Sequence, residues 1–139
     1  MLLKIRKINE LAILPKKHNK NDAAYDLYSI EDIRLAAGQT SIIHTGICME
    51  IPAGYYGQIE SRSSIALKGV FITGGVIDSG YRGEIMVITN NISTDTYEVK
   101  KGDRIAQIIF HKIKNFDLIE VTSLDEINDR GGGFGSSES

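Results

Sequence analysis

Between Gly74 and Glu84 the chain carries four glycines in eleven residues, together with an acid, Asp78, a ring, Tyr81, and a guanidinium, Arg82. Glycine lets the backbone turn tightly and lets a ligand lie against it with no Cβ in the way. Apolar runs flank the stretch, Val70-Phe71-Ile72 before it and Ile85-Met86-Val87-Ile88 after it. A β frame that holds one acid and one ring beside exposed amides suits a small polar ligand. A loop between two strands with a turn-forming Asp fits the same residues.

Other groups with chemical potential are dispersed. Arg62-Ser63-Ser64 precedes Ile65-Ala66-Leu67-Lys68-Gly69, a short helical pattern that Ser63 or Ser64 can cap and Gly69 can end. A helix start with an arginine beside it favours an anion; a simple cap plus a surface arginine is the alternative. Gln107 is a lone amide in the apolar run Ile105-Ala106-Gln107-Ile108-Ile109, placed either to face a ligand or to satisfy a buried backbone group. Asp26, in Ala23-Ala24-Tyr25-Asp26-Leu27, is a turn acid or a site acid. Residues 128–139 hold four glycines, Arg130, Ser136 and Ser137, and Phe134 as the one large apolar side chain. Such a segment builds no core and is expected to be mobile in the free protein. Its arginine, ring and hydroxyls suit an anion attached to a planar ring; a tail without a role is the plain alternative.

The elements that must position these groups read as strands. Leu3–Ile8, Ser41–Ile51, Tyr55–Glu60, Arg104–Phe110 and Ile113–Val121 are strand candidates, as are the apolar runs Val70–Ile72 and Ile85–Ile88, and Ile47, Met49 and Ile51 share one face. Turns are expected at Pro52-Ala53-Gly54 and Lys100-Lys101-Gly102-Asp103. Many short strands with almost no helical periodicity predict an all-β sandwich or barrel with one short helix. The 139 residues suffice for one domain with a real core, 1–127, followed by a glycine-rich arm, 128–139.

Composition narrows the function. A net charge of -2 provides no basic surface for nonspecific nucleic-acid binding, although local arginines can still hold phosphates. Cys48 is the single cysteine, and His18, His44 and His111 lack metal-ligand spacing, so neither a disulfide framework nor a zinc site is expected. The start, Met1-Leu2-Leu3-Lys4-Ile5-Arg6-Lys7, is too short and too charged for a signal peptide, and no run approaches membrane-spanning length. An intracellular soluble protein is the expectation, with cytoplasm and nucleus not distinguished. A phosphate loop and a nucleophile elbow are both missing from the sequence.

Taken in order, five runs resemble the five motifs of the trimeric deoxyuridine triphosphatases (dUTP pyrophosphatases). They are Ala23-Ala24-Tyr25-Asp26-Leu27, Arg62-Ser63-Ser64-Ile65-Ala66, and Gly75-Val76-Ile77-Asp78-Ser79-Gly80-Tyr81-Arg82-Gly83-Glu84. Lys101-Gly102-Asp103-Arg104-Ile105-Ala106-Gln107 and Arg130-Gly131-Gly132-Gly133-Phe134-Gly135-Ser136 complete the set. The chain departs from that pattern at Ala24, where a glycine is usual, at Ser61, where a proline is usual, and at Glu138 in place of a glycine. It is also one residue shorter between Arg62 and Asp78, and again between Arg130 and Phe134.

The resemblance implies a jelly-roll β fold and a homotrimer whose three sites are each assembled from all three chains, with the C-terminal arm closing over a neighbour's site. It implies hydrolysis of dUTP to dUMP and pyrophosphate by water attack at the α-phosphorus, with Mg2+ carried on the triphosphate. Such an activity limits uracil incorporation into DNA and supplies dUMP for thymidylate synthesis. By this similarity Asp78 activates the water and touches the sugar 3′-hydroxyl, while Tyr81 packs beneath the deoxyribose. The backbone of Gly75, Val76 and Ile77, with Met86, reads the uracil edge. Arg62, Ser63, Ser64 and Gln107 hold phosphates, as do Arg130, Gly135 and Ser136 of the arm, and Phe134 covers the base. Asp26 supports the metal through water. A dCTP deaminase shares the fold but needs a glutamate where this chain has Ile88, and it lacks a glycine-rich arm with a Phe lid.

Overall fold

The computed structural model describes residues 1–127, so the arm at 128–139 lies outside the described residues. Ten strands and one helix follow in order among them. The strands are β1 (Lys4–Lys7), β2 (Tyr25–Tyr28), β3 (Ile33–Leu35), β4 (Thr40–Glu50), β5 (Tyr55–Glu60), β6 (Val70–Thr73), β7 (Val76–Ile77), β8 (Glu84–Asn91), β9 (Tyr97–Val99) and β10 (Arg104–Lys112). The helix α1 is Ser63–Ala66.

Two four-stranded antiparallel sheets, β1-β4-β8-β6 and β2-β10-β5-β7, and a two-stranded sheet, β3-β9, make a jelly-roll-like sandwich. Alternation decides which face of each strand goes inward. On β8, Ile85, Val87, Thr89 and Asn91 are buried, whereas Met86 and Ile88 face out. On β4 and just beyond it, Ile47, Met49 and Ile51 all enter the core, as the sequence pattern predicts, and Ile43 joins them. Leu27, Ile59 and Ile108 meet them from the second sheet. Each such side chain contributes about 1.5–3 kcal/mol on burial. The one deeply buried amide is fully engaged: Asn91 donates to Leu35 O at 2.9 Å and Asp95 O at 2.8 Å and accepts from Ser93.

β4 carries an irregularity that matters for the site. Its partners on β8 shift between His44, opposite Met86, and Cys48, opposite Glu84. Four steps on β4 therefore face two on β8. An even number of extra residues bends the strand without reversing which side chains point inward. Gly46 sits in this bulge at φ 70°, with Asn9, Ala12 and Ile30 side chains only 3.0–3.1 Å from where a Cβ would be.

Several expectations are corrected. α1 ends after one turn, and its N-cap is Arg62 with no side-chain cap bond, so neither Ser63 nor Ser64 caps it. Gly69 closes the turn that follows, at φ 84°. β2, β3, β7 and β9 are strands that local patterning did not reveal. Residues 113–121, expected as a strand, form none: Ile113 N–H bonds Gly54 O at 2.8 Å, and beyond it the chain runs exposed. Its apolar pattern has no strand partner among the described residues. No helix among the described residues is long and apolar enough to cross a membrane.

Candidate active site

β2, β10 and the start of α1 enclose a cleft of about 440 Å3 lined by Asp26, Arg62, Ser63, Ser64, Arg104 and Gln107, with His18 and Asp22 at its margin. Register explains the grouping. Antiparallel pairing sets Gln107 opposite Asp26 on one side and opposite Glu60 on the other, so Asp26 and Gln107 are cross-strand neighbours. Arg62 follows directly from the end of β5 and turns into α1, which delivers the two serines to the same opening.

Asp26 lies between two guanidiniums. Arg62 Nε stands 3.6 Å from one carboxylate oxygen and Arg104 Nη1 3.6 Å from the other. Arg62 also donates to Arg104 O at 3.1 Å, which ties the two arginine-bearing segments together. The half-buried cluster carries two positive charges against one negative, so it attracts a further anion. Burial pushes the Tyr28 phenol above its ordinary value and Asp26 adds to the rise, while Arg104 and Arg62 oppose it. Tyr28 is therefore a neutral wall near the cluster.

Gln107 takes up the backbone-satisfying role and stays at the cleft wall. Its side-chain amide donates to Ser61 O at 2.9 Å, satisfying a backbone group, and it still lines the cleft. The helix contributes less than its position suggests. A single turn has almost no macrodipole, so the anion preference here rests on the arginines.

The second group of expected residues forms a glycine-rich, hairpin-like segment whose one paired strand, β7, lies at the edge of the β2-β10-β5-β7 sheet. Gly74 and Gly75 take φ values of 65° and 90°. At Gly75 a Cβ would stand 2.9 Å from Ile59 O, and Ile59 N–H bonds Gly75 O at 2.8 Å. Only glycine admits that approach. β7 then pairs with β5 on one side alone, through Gly57–Ile77 and Gln58–Val76. Its other edge leaves backbone donors and acceptors without a strand partner.

Asp78 follows β7 and is exposed, and its carbonyl accepts the Tyr81 N–H at 3.1 Å. The Tyr81 hydroxyl donates to Glu84 O at 2.8 Å, and Arg82 donates to Ser79 O at 2.6 Å. Glu84 fastens the loop to the β4 bulge: Oε2 accepts the Gly46 N–H at 2.9 Å and Oε1 meets His44 Nδ1 at 2.9 Å. The hydrogen bond from Glu84 raises the His44 pKa above its ordinary value, against a smaller opposing effect of burial.

The structure thus brings Asp26, Arg62, Ser63, Ser64 and Gln107 into one cleft and Gly75, Val76, Ile77, Asp78 and Tyr81 into one hairpin. Neither Asp78 nor Tyr81 lines the cleft. Met86 belongs to neither group; it sits on the outer face of β8 opposite His44. Arg130, Phe134, Gly135 and Ser136 lie outside the described residues. Sequence reasoning missed Arg104, whose place beside Asp26 depends on the β2–β10 register, and the anchoring residues Arg82, Glu84 and His44. Among the described residues no three His, Cys, Asp or Glu side chains group closely enough to hold a metal.

Comparison with known proteins identifies the family of the chain. The dUTPase family model matches residues 10–138. The chain is 43% identical over 140 residues to the deoxyuridine 5'-triphosphate nucleotidohydrolase of Nautilia profundicola, covering 99% of each chain. It is 47% identical over 137 residues to that of Fowlpox virus, covering 96% of this chain and 94% of the viral one. Among solved structures, a mutant dUTPase of Staphylococcus bacteriophage 80alpha with dUpNHpp superposes with a TM-score of 0.90 at 28% identity, covering 99% of both chains. A mutant dUTPase from phage phi11 of S. aureus, solved for the coordination of a structural Mg(II) ion, superposes with a TM-score of 0.82 at 27% identity, over 88% of this chain and 98% of that one. With a family model spanning most of its length and relatives above 40% identity over nearly all of it, the chain belongs to the dUTPase family.

Proposed function

We propose that the chain is an enzyme that hydrolyses dUTP to dUMP and pyrophosphate, by water attack at the α-phosphorus. The observation that carries this reading is the division of the site. A cleft with two arginines around one half-buried carboxylate suits a triphosphate, and a glycine hairpin with an acid, a ring and a free strand edge suits a nucleoside. Arg62, Ser63, Ser64 and Gln107 hold the phosphates. The free edge of β7 reads the uracil edge through backbone groups and Tyr81 packs beneath the deoxyribose; Met86 joins the uracil contacts on the strength of the sequence resemblance alone. Asp78 takes the proton of the attacking water, a role that its exposed position at the end of β7 permits. Arg130, Gly135 and Ser136 add phosphate contacts and Phe134 covers the base, on the strength of the sequence resemblance.

Backbone reading suits the selectivity required. Thymine differs from uracil by one methyl, which an apolar pocket distinguishes by only about 1–3 kcal/mol. A hairpin that approaches its neighbour as closely as Gly75 approaches Ile59 has no space to yield, so it excludes the methyl by clash. Cytosine reverses the donor pattern and leaves fixed groups unpaired, at about 1–3 kcal/mol each.

Mg2+ fits this inventory as a companion of the substrate. It keeps several waters and prefers substrate phosphates to all-protein cages. Asp26 would support it through water, since both of its oxygens already face arginines. The charge neutralisation that such an ion would supply falls on the triphosphate.

The working unit is a homotrimer in which hairpin and cleft of one site come from different chains. Two features favour it. The cleft of one chain includes neither Asp78 nor Tyr81. Residues 113–127 extend from β10 with Phe116, Leu118 and Ile119 exposed, Leu118 by 94%, a row of apolar groups suited to the surface of a neighbour. Pyrophosphate release measured with dUTP, dTTP, dCTP and UTP tests the function. Release from dUTP alone is expected; ammonia release from dCTP, or equal use of all four, would overturn it.

A further inference from the structure

Gly83 is a glycine for a different reason from Gly74 and Gly75. Its φ is not positive, so the left-handed strain that bars side chains at Gly74 and Gly75 is absent there. A Cβ at this position, however, would stand 2.6 Å from Tyr81 Oη, 2.7 Å from Cζ and 3.1 Å from Cε1. Carbon atoms in contact settle near 3.5–4.0 Å. The Tyr81 ring therefore lies on the bare Cα of Gly83, held there by its hydroxyl bond to Glu84 O.

If a methyl were placed between them, the ring would be the partner to move. The floor is fixed: Glu84 is tied through both carboxylate oxygens to Gly46 and His44, its backbone pairs with Cys48, and the next residue, Ile85, is fully buried. The loop above is pinned by Arg82 on Ser79 O. Tyr81 is 39% exposed and has open solvent beside it.

We propose that Gly83 is a specificity-determining position that sets the seat of the Tyr81 ring, and through it the rejection of ribonucleotides. The proposal rests on the reading that Tyr81 packs beneath the deoxyribose and leaves no room for a 2′-hydroxyl. With alanine at 83 the ring swings toward solvent, and the space under the sugar opens.

The test compares kcat/KM for dUTP and UTP in the full-length protein and in Gly83→Ala, Tyr81→Ala and Gly80→Ala. Gly80 belongs to the same loop, but its Cβ would meet nothing within 4 Å, so that variant should keep the wild-type ratio. Both Gly83→Ala and Tyr81→Ala are expected to lower the dUTP preference by about tenfold or more. If Tyr81→Ala lowers it and Gly83→Ala does not, the seat proposal is wrong. If Tyr81→Ala leaves the preference intact, the sugar reading itself fails. Should Gly83→Ala fold poorly, the double variant with Tyr81→Ala decides. Recovery of the wild-type melting temperature identifies the ring as the obstacle, and no recovery overturns the proposal.

Discussion

Asp26 and Asp78 are both acids in extended segments, yet their surroundings suit them to opposite tasks. Asp26 is half-buried between Arg62 and Arg104, with each oxygen 3.6 Å from a guanidinium, so its charge is already committed. Asp78 is exposed at the end of a two-residue strand, where a water can reach it. The assignment of the base to Asp78 gives a sharp expectation. Asp78→Asn should bind dUpNHpp with nearly unchanged affinity while turnover falls about a hundredfold or more, the scale of losing a positioned base. Calorimetric titration and single-turnover kinetics measure the two quantities separately, and near-normal turnover would remove Asp78 from the chemistry. Both acids were legible in the sequence because each sits in a recognisable run. Arg104 also sits in such a run, but its role was not legible. Nothing local says that β10 will lie against β2 with Arg104 at the Asp26 carboxylate, since that is a property of register.

At the scale of elements, the β4 bulge is the device that steadies the hairpin. Two extra residues on β4 turn the Gly46 N–H toward Glu84, and His44 closes the same carboxylate from its other side. Because the Glu84 bond raises the folded-state pKa of His44 above its unfolded value, this pairing stabilises the fold at pH below the ordinary imidazole range. That contribution is lost as the pH rises through the raised folded-state value. Melting curves between about pH 5.5 and 8.5 should therefore show a stabilisation on the acidic side that His44→Gln lacks. The effect is small, because the imidazole is 44% exposed and solvent screens the pair. A wild-type profile superimposable on that of the variant would show that the pair is not coupled to folding. Strand patterning predicted β1, β4, β5, β6, β8 and β10 because each alternates or runs apolar along its length. It missed β2, which is short and carries Asp26, and β7, whose two residues stand among glycines. It also assigned a strand to 113–121, where the apolar residues are present but the partner strand is not.

For the whole molecule, that unpartnered segment and the divided site point in one direction. Were one chain sufficient, residues 113–127 would leave Phe116, Leu118, Ile119 and Leu124 in water for no gain. Leu118→Asp, at a side chain that touches little within its own chain, should shift the protein toward monomers in light scattering and lower activity together with assembly. A monomeric variant with full activity would contradict site sharing. The stricter test mixes two defects. Chains carrying Asp78→Asn have an intact cleft, and chains carrying Arg62→Gln have an intact hairpin. Refolded separately, each should be nearly inactive at dUTP concentrations below KM. Refolded together in equal amounts, random trimers draw hairpin and cleft independently from the two pools. About a quarter of all sites should then contain both intact halves, and activity should recover to roughly that fraction of wild type. If both halves of each site came from the same chain, every site would keep one defect and mixing would restore nothing.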